Sequence, residues 1–303
     1  MSKKFKPQPL VSIIMNCYNG ETYLKESINS ILSQTYQNWE LIFWDNRSKD
    51  KSAEIFKSYN DKRFKYYCAN EHTSLYEARN LAIEKSKSDF ISFLDTDDLW
   101  DKRKIEEQMK YFDNQEVGVV YSKYWLIKKN LYKKKINSKE KLPRGKIYDE
   151  LIDNYNIGIL TTIIRKKHYL KLNKKFDKRF SIIGDFDLFL RLSKICIFEC
   201  SQIPFAFYRL HGKNLSNQNK NQEADEMDIW LNENEDNLSE SSIEKIKKNI
   251  FYKKFINSKI DRNYKDCLNI LFNSPVNLFS IKNLIILFMP VSILKKLLWY
   301  HQD

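Results

Sequence analysis

Asp95-Thr96-Asp97-Asp98 puts three carboxylates into four positions. Like charges so close lower stability unless a cation or a helix N-terminus neutralises them. One use is capping, with Asp97 or Asp98 opening a helix over residues 101–112. The other is a set of hard oxygen ligands for Mg2+ or Mn2+ held jointly with substrate phosphates. One carboxylate is enough for a cap, and the apolar run Phe90–Leu94 carries the whole cluster to the end of a strand. Two more polar clusters follow apolar runs: Asn16-Cys17-Tyr18-Asn19 and Asp45-Asn46-Arg47-Ser48-Lys49-Asp50. Farther on, Asp185 and Asp187 stand at the start of a segment where Leu188, Arg191 and Leu192 recur at helical spacing, so capping is one use of either.

These groups need elements to hold them. Leu10–Met15, Trp39–Trp44, Arg63–Tyr67, Phe90–Leu94 and residues 117–125 read as short buried strands. Between them, residues 21–35, Ser52–Tyr59, Ser74–Ser86 and 101–112 read as helices with one apolar face. Alternation at this spacing predicts an α/β chain with a mostly parallel sheet flanked by helices. Ligands of such sheets sit at the carboxyl ends of the strands, where all three polar clusters lie. Residues 123–146, with Glu140 as their only acid, are expected as an irregular basic stretch over the sheet edge. A polar, acidic stretch, Asn214–Glu240, precedes a helical tail, so the expected domains are residues 1–220 and 221–303.

The 303 residues are 42% hydrophobic and 14% aromatic, enough for a sizeable core and unlike a disordered chain. Five cysteines without a CxxC pair, and no leader, point to a reduced, cytosolic protein. Residues 221–303 hold 11 basic and 12 acidic residues, so residues 1–220 hold 41 against 27, a surplus of 14 positive charges. That surplus calls for an anionic partner: nucleotide phosphates, anionic lipid or nucleic acid. The acidic cluster would repel a nucleic acid's phosphates, which argues against a nucleic-acid module. No G-x-G-x-x-G follows the first strand, and no P-loop is present. The longest uncharged apolar run, Asn283–Leu294, has 12 residues against the ~20 that span a bilayer. Segment 276–300, apolar with Lys282, Lys295, Lys296, Trp299 and Tyr300 and interrupted by Pro290, suits a helix lying in a membrane interface; docking on the protein's own core or on a partner copy is the alternative.

The motifs Val11–Asn19, Trp44–Asp50, Ala78-Arg79-Asn80 and Leu94–Asp98, in this order and spacing, resemble those of family 2 glycosyltransferases over about residues 9–215. The resemblance implies the GT-A nucleotide-sugar-binding fold, an inverting transfer to an acceptor hydroxyl, and a divalent metal, Mg2+ or Mn2+. It implies that Asn16 and Tyr18 hold base and ribose and that Asp45 and Asn46 read the base. Asn46 stands where a second Asp is common, and its amide can still accept from uracil N3–H, so UDP is the expected carrier. Arg79 would face the nucleotide, Asp95 and Asp97 the donor, and Asp97, Asp98 and His211 the metal. Ile183–Leu192 resembles the family block whose Asp, here Asp185, is the catalytic base; Gly184 stands where Glu is frequent. Phe207–Ser216 resembles the segment that closes the site and contains His211. Such enzymes build surface polysaccharide or lipid-linked glycans, which with the basic charge implies a peripheral place on the inner face of the membrane. A chain that binds the nucleotide sugar without transferring it is the remaining alternative.

Overall fold

The computed structural model describes residues 8–128, 134–215, 220–272 and 281–294. Strands β1 (Val11–Cys17) and β2 (Trp39–Asp45) are buried at every position, as continuous apolar runs are where helices cover both faces of a parallel sheet. β1 pairs in parallel with β2 and with β4 (Phe90–Phe93), and β3 (Phe64–Cys68) extends β2 in the same sense. The register sets Cys17 beside Asp45 and Asp45 beside Cys68, and Leu94 N–H donates to Ile14 O at 3.1 Å. The three polar clusters therefore leave the sheet along one edge. Helices α1 (Leu24–Leu32), α2 (Ser52–Lys57) and α3 (Leu75–Glu84) are the crossovers. α1 buries Leu24, Ile28 and Ile31, the stripe expected from its periodicity.

Beyond β4 the sheet is mixed. The following elements are β5 (Leu99–Trp100), α4 (Lys104–Met109), β6 (Val117–Ile127), β7 (Lys134–Ile136), α5 (Tyr148–Asp153), β8 (Ile163–Arg165), α6 (Lys166–Lys171), α7 (Gly184–Ser193) and β9 (Ile197–Arg209). The strand order is β3-β2-β1-β4-β8-β6-β9-β5, with β7 on β6. β8 runs antiparallel to β4 and β6, β9 runs parallel to β6, and β5 closes antiparallel on β9.

Two local expectations change. The helix expected over 101–112 is α4 followed by a 3-10 turn, Lys110–Asp113, and its cap is neither Asp97 nor Asp98. Leu99 and Trp100, between the acidic cluster and the helix, pair with Phe207 and Ala206, and this separates the cluster from the helix start. The basic stretch after residue 123 is not irregular throughout. β6 continues to Ile127, and Trp125 pairs with Ile136 of β7, while Lys134 lays its ammonium 4.5 Å from the Trp125 ring centre.

The chain divides into two compact units, Met1–Leu210 and His211–Asp303. The second holds α8 (Lys220–Asn234), α9 (Glu240–Ile260), α10 (Tyr264–Phe272) and α11 (Ile281–Phe288). Its small core joins Phe251, Phe255 and Ile256 to Cys267, Leu271, Ile286 and Leu294. Of the tail segment 276–300, only residues 281–294 are among the described ones. No helix of the described residues is long and apolar enough to cross a membrane.

Candidate active site

At the end of β1, Asn16 is buried, and its Nδ2 has no hydrogen-bond partner among the described residues. Two positions on, Tyr18 is 52% exposed, and its ring lies 4.2 Å from that of His72. His72 Nδ1 is 3.0 Å from the Asn46 carbonyl. His72 had no role in the sequence reading. Its only signal was a polar residue just before α3, and its place beside Tyr18 depends on a contact across 54 positions.

Asp45 and Asn46, expected to read the base, spend their side chains on the protein. Asp45 Oδ1 accepts Ser48 N–H at 2.8 Å and its Oδ2 accepts the Tyr66 hydroxyl at 2.7 Å. Asn46 Nδ2 donates to Thr73 O at 2.8 Å, while its Oδ1 accepts Thr73 N–H at 3.1 Å. The Asn46 amide thus copies a backbone pairing and pins the turn that carries His72. Asp here would lose the donor half of that pair.

The acidic cluster divides its work. Arg79 is 3% exposed and gives one terminal nitrogen to both Asp95 oxygens, at 2.9 and 3.0 Å. Asp97 is partly exposed, and its carbonyl accepts Arg209 Nε at 2.9 Å. Asp98, expected as a metal ligand, is instead turned inward, 1% exposed, with Oδ1 accepting Arg209 N–H at 2.8 Å. Burial, then the charges of Asp97 and Asp95, hold the Asp98 carboxyl well above the ordinary carboxylate range. It ties the acidic turn to β9.

Asp185 lies in the first turn of α7, where helix N–H groups favour negative charge. Its Oδ1 accepts Phe186 N–H at 2.9 Å and receives the Tyr76 hydroxyl at 3.4 Å. Burial raises its carboxyl and the Arg79 charge partly opposes this. A carboxyl raised toward working pH is suited to accept a proton. Asp187 is differently placed: Arg191 binds its Oδ2 at 2.6 Å. Neither aspartate is the side-chain cap of α7.

His211 opens the second unit, where its Nδ1 accepts Lys213 N–H at 3.2 Å. Among the described residues no three His, Cys, Asp or Glu side chains gather into a metal cage. A metal here would draw ligands from the substrate as well as the protein.

The profile of "Glycosyl transferase family 2" matches residues 12–193, which span β1 through α7. The chain belongs to this family. Relatives similar to it include UDP-Glc:alpha-D-GlcNAc-diphosphoundecaprenol beta-1,3-glucosyltransferase WfgD of Escherichia coli, 33% identical over 68% of this chain and 79% of that protein. The putative teichuronic acid biosynthesis glycosyltransferase TuaG of Bacillus subtilis is 31% identical over 53% of this chain and 64% of its own. Among solved structures, S. aureus TarS 1-349 in complex with UDP-GlcNAc shares the fold, with a TM-score of 0.66 at 17% identity over 96% of this chain and 87% of that one. Mannosyltransferase PcManGT from Pyrobaculum calidifontis, in complex with GDP-Man and Mn2+, has a TM-score of 0.61 at 12% identity over 97% of this chain and 85% of that one. The GT-A architecture expected from the motifs is thus present, and the chain is a glycosyltransferase.

Proposed function

We propose that this glycosyltransferase moves a sugar from a UDP-sugar, with inversion, to a hydroxyl of a lipid-linked or surface glycan. The observation that carries this reading is Arg79, which grips Asp95 at the donor edge and sets its charge against Asp185. One buried guanidinium thereby connects a nucleotide-facing carboxylate to a proton acceptor.

The Tyr18–His72 ring pair is assigned to the base, with Asn16 Nδ2 as a donor toward base or ribose. Asp45 and Asn46 shape this pocket by fixing Tyr66 and Thr73. Asp97, partly exposed beside two carboxylates that are committed elsewhere, is the residue assigned to the metal; a hard cation suits its oxygen and would relieve the crowded negative charge. Bound there, Mg2+ or Mn2+ would neutralise charge on the diphosphate leaving group. Asp185 accepts the proton of the acceptor hydroxyl as that oxygen attacks the anomeric carbon, so a single displacement inverts the centre without a protein nucleophile. The UDP-Glc and diphosphoundecaprenol in the name of the E. coli relative support a UDP donor and a lipid-linked acceptor. The exposed apolar side chains of the second unit support a peripheral membrane location.

Calorimetry of the purified protein against UDP-glucose, UDP-GlcNAc and GDP-mannose, with Mn2+ and with excess EDTA, tests the donor. UDP-sugar binding that needs the metal is expected. Preference for GDP-mannose would overturn the UDP assignment, and undiminished binding in EDTA the metal assignment.

A further inference from the structure

We propose that Tyr76 is the positioning residue for Asp185 and that Gly184 is glycine because the Tyr76 ring fills the place of its side chain. The inference rests on Asp185 being the base and names the group that orients it.

A Cβ built on Gly184 would lie 2.5 Å from Cε2 and 2.6 Å from Cδ2 of Tyr76, closer than real Cβ atoms approach. The ring has little room to retreat. It is 3% exposed, stacks on Phe176 at 5.3 Å, and has the Arg79 guanidinium carbon 5.2 Å from its centre. From this seat the hydroxyl donates to Ile182 O at 2.9 Å and reaches Asp185 Oδ1 at 3.4 Å. The one phenol O–H is thus shared between the backbone entering α7, which it meets more closely, and the carboxylate in the first turn.

Helix α3 makes this a device and not an isolated contact. Tyr76 and Arg79, three positions apart, share one face of the helix; one reaches Asp185 and the other Asp95. The neighbouring Asn80 donates to Phe176 O at 2.9 Å and accepts Phe176 N–H at 3.1 Å, and Ser74 Oγ donates to Lys178 O at 3.1 Å. The segment leading to Asp185 is therefore laced to α3 along its length. Arg79 and Tyr76 face Asp185 from α3, Tyr155 from the loop after α5, Tyr124 from β6, and the Phe186 N–H from α7 itself. Tyr76 also holds the backbone before α7, at Ile182.

The test uses the full chain with Tyr76→Phe, Gly184→Ala, their double variant and Asp185→Asn. Tyr76→Phe keeps the ring packing and removes only the hydroxyl. In 13C-aspartate-labelled protein the Asp185 carboxyl signal, assigned by its loss in Asp185→Asn, should titrate at higher pH in Tyr76→Phe, because the anion loses a donor. UDP release from UDP-glucose or UDP-GlcNAc with Mn2+ should fall about 3–10-fold in kcat, the size of one weak hydrogen bond, with KM for the donor unchanged and the acid limb moved the same way. Gly184→Ala should cost more, by displacing the ring, and should cost less in the Tyr76→Phe background than in the wild type. An Asp185 titration and kcat unchanged by Tyr76→Phe overturn the proposal, as do fully additive Gly184 and Tyr76 effects. If Gly184→Ala does not fold, Tyr76→Phe decides alone. Failure of the base reading is separately visible, as near-normal turnover by Asp185→Asn, and the positioning role falls with it.

Discussion

Arg79 holds two carboxylates in unequal states. Asp95 receives a direct contact from its terminal nitrogen, whereas Asp185 feels it as a charge that partly opposes the effect of burial. The asymmetry keeps one carboxylate an ion-pair partner and leaves the other able to take a proton. Asp185→Asn preserves shape and most hydrogen bonds, so turnover should fall about 10²–10⁴-fold, the usual worth of a general base, while calorimetric donor binding stays close to wild type. Near-normal turnover would move the base elsewhere, although Asp187 is already occupied by Arg191. Asp97→Ala should abolish Mn2+-dependent UDP-sugar binding while the protein stays folded, since Asp97 is partly exposed and the buried partner of Arg209 N–H is Asp98. Metal-dependent binding that survives in Asp97→Ala would remove Asp97 from the metal site.

Elements hold these residues through contacts far apart in sequence. The Asn46–Thr73 amide pair fastens the end of β2 to the start of α3, and Asp98 fastens the acidic turn to β9 across 111 positions. α4 packs by a costlier means. Lys104 is fully buried, with Nζ 3.0 Å from Ser92 Oγ and 4.1 Å from the Trp100 ring centre, and among the described residues no carboxylate pairs with it. Burial lowers its ammonium well below the ordinary lysine value. With a folded value below the unfolded one, stability is lost as pH falls from the unfolded lysine value toward the folded one, and regained as pH rises. Lys104→Met should therefore stabilise the first unit at pH 7 by about 1–2 kcal/mol, since a buried amine without a carboxylate partner, whose charged form burial penalises, gives way to an apolar group of similar volume. Calorimetric melts at pH 7 and pH 10 check this: the gap between variant and wild type should narrow as pH rises. A variant less stable than wild type at pH 7 would show that the contacts to Ser92 and Trp100 outweigh the desolvation.

At the scale of the whole molecule, charge and exposed apolar surface support the proposed membrane interface. The second unit leaves Leu268 and Phe272 of α10 exposed, Phe272 by 83%, and Ile285 and Phe288 of α11, Phe288 by 81%. The opposite faces, at Cys267, Leu271 and Ile286, fill the small core. Residues 1–220 bring a surplus of 14 positive charges, and each basic residue near an anionic surface contributes ~1 kcal/mol, screened by salt. The full chain should co-sediment with anionic liposomes and release as salt rises. Phe272→Glu with Phe288→Glu should lower binding about tenfold or more, as charge replaces the exposed aromatic surface offered to the membrane, and leave UDP-sugar binding intact. A chain that stays in the supernatant with anionic liposomes at low salt would show that these side chains serve another contact.

The sequence by itself determined β1, β2 and β4, because strands buried on both faces must be continuous apolar runs, and it determined which polar clusters end them, because parallel strands point their carboxyl ends one way. Asp45 and Asp97 stood out as polar groups that end apolar runs and Asp185 as one that opens a helix, whereas Arg79, inside α3, was marked only by the resemblance of Ala78-Arg79-Asn80 to the family motif. Only the tertiary structure decided what those groups touch. Leu99-Trp100 is too short to read as a strand and becomes one by meeting Phe207 and Ala206. The division of labour among Asp95, Asp97 and Asp98 depends on Arg79 and Arg209, each arriving from another element. The fit of Gly184 to Tyr76 spans 108 positions. Hydrogen bonds and packing act over ångströms, whereas the sequence records distance along the chain, so long-range pairings are settled only when the sheet closes.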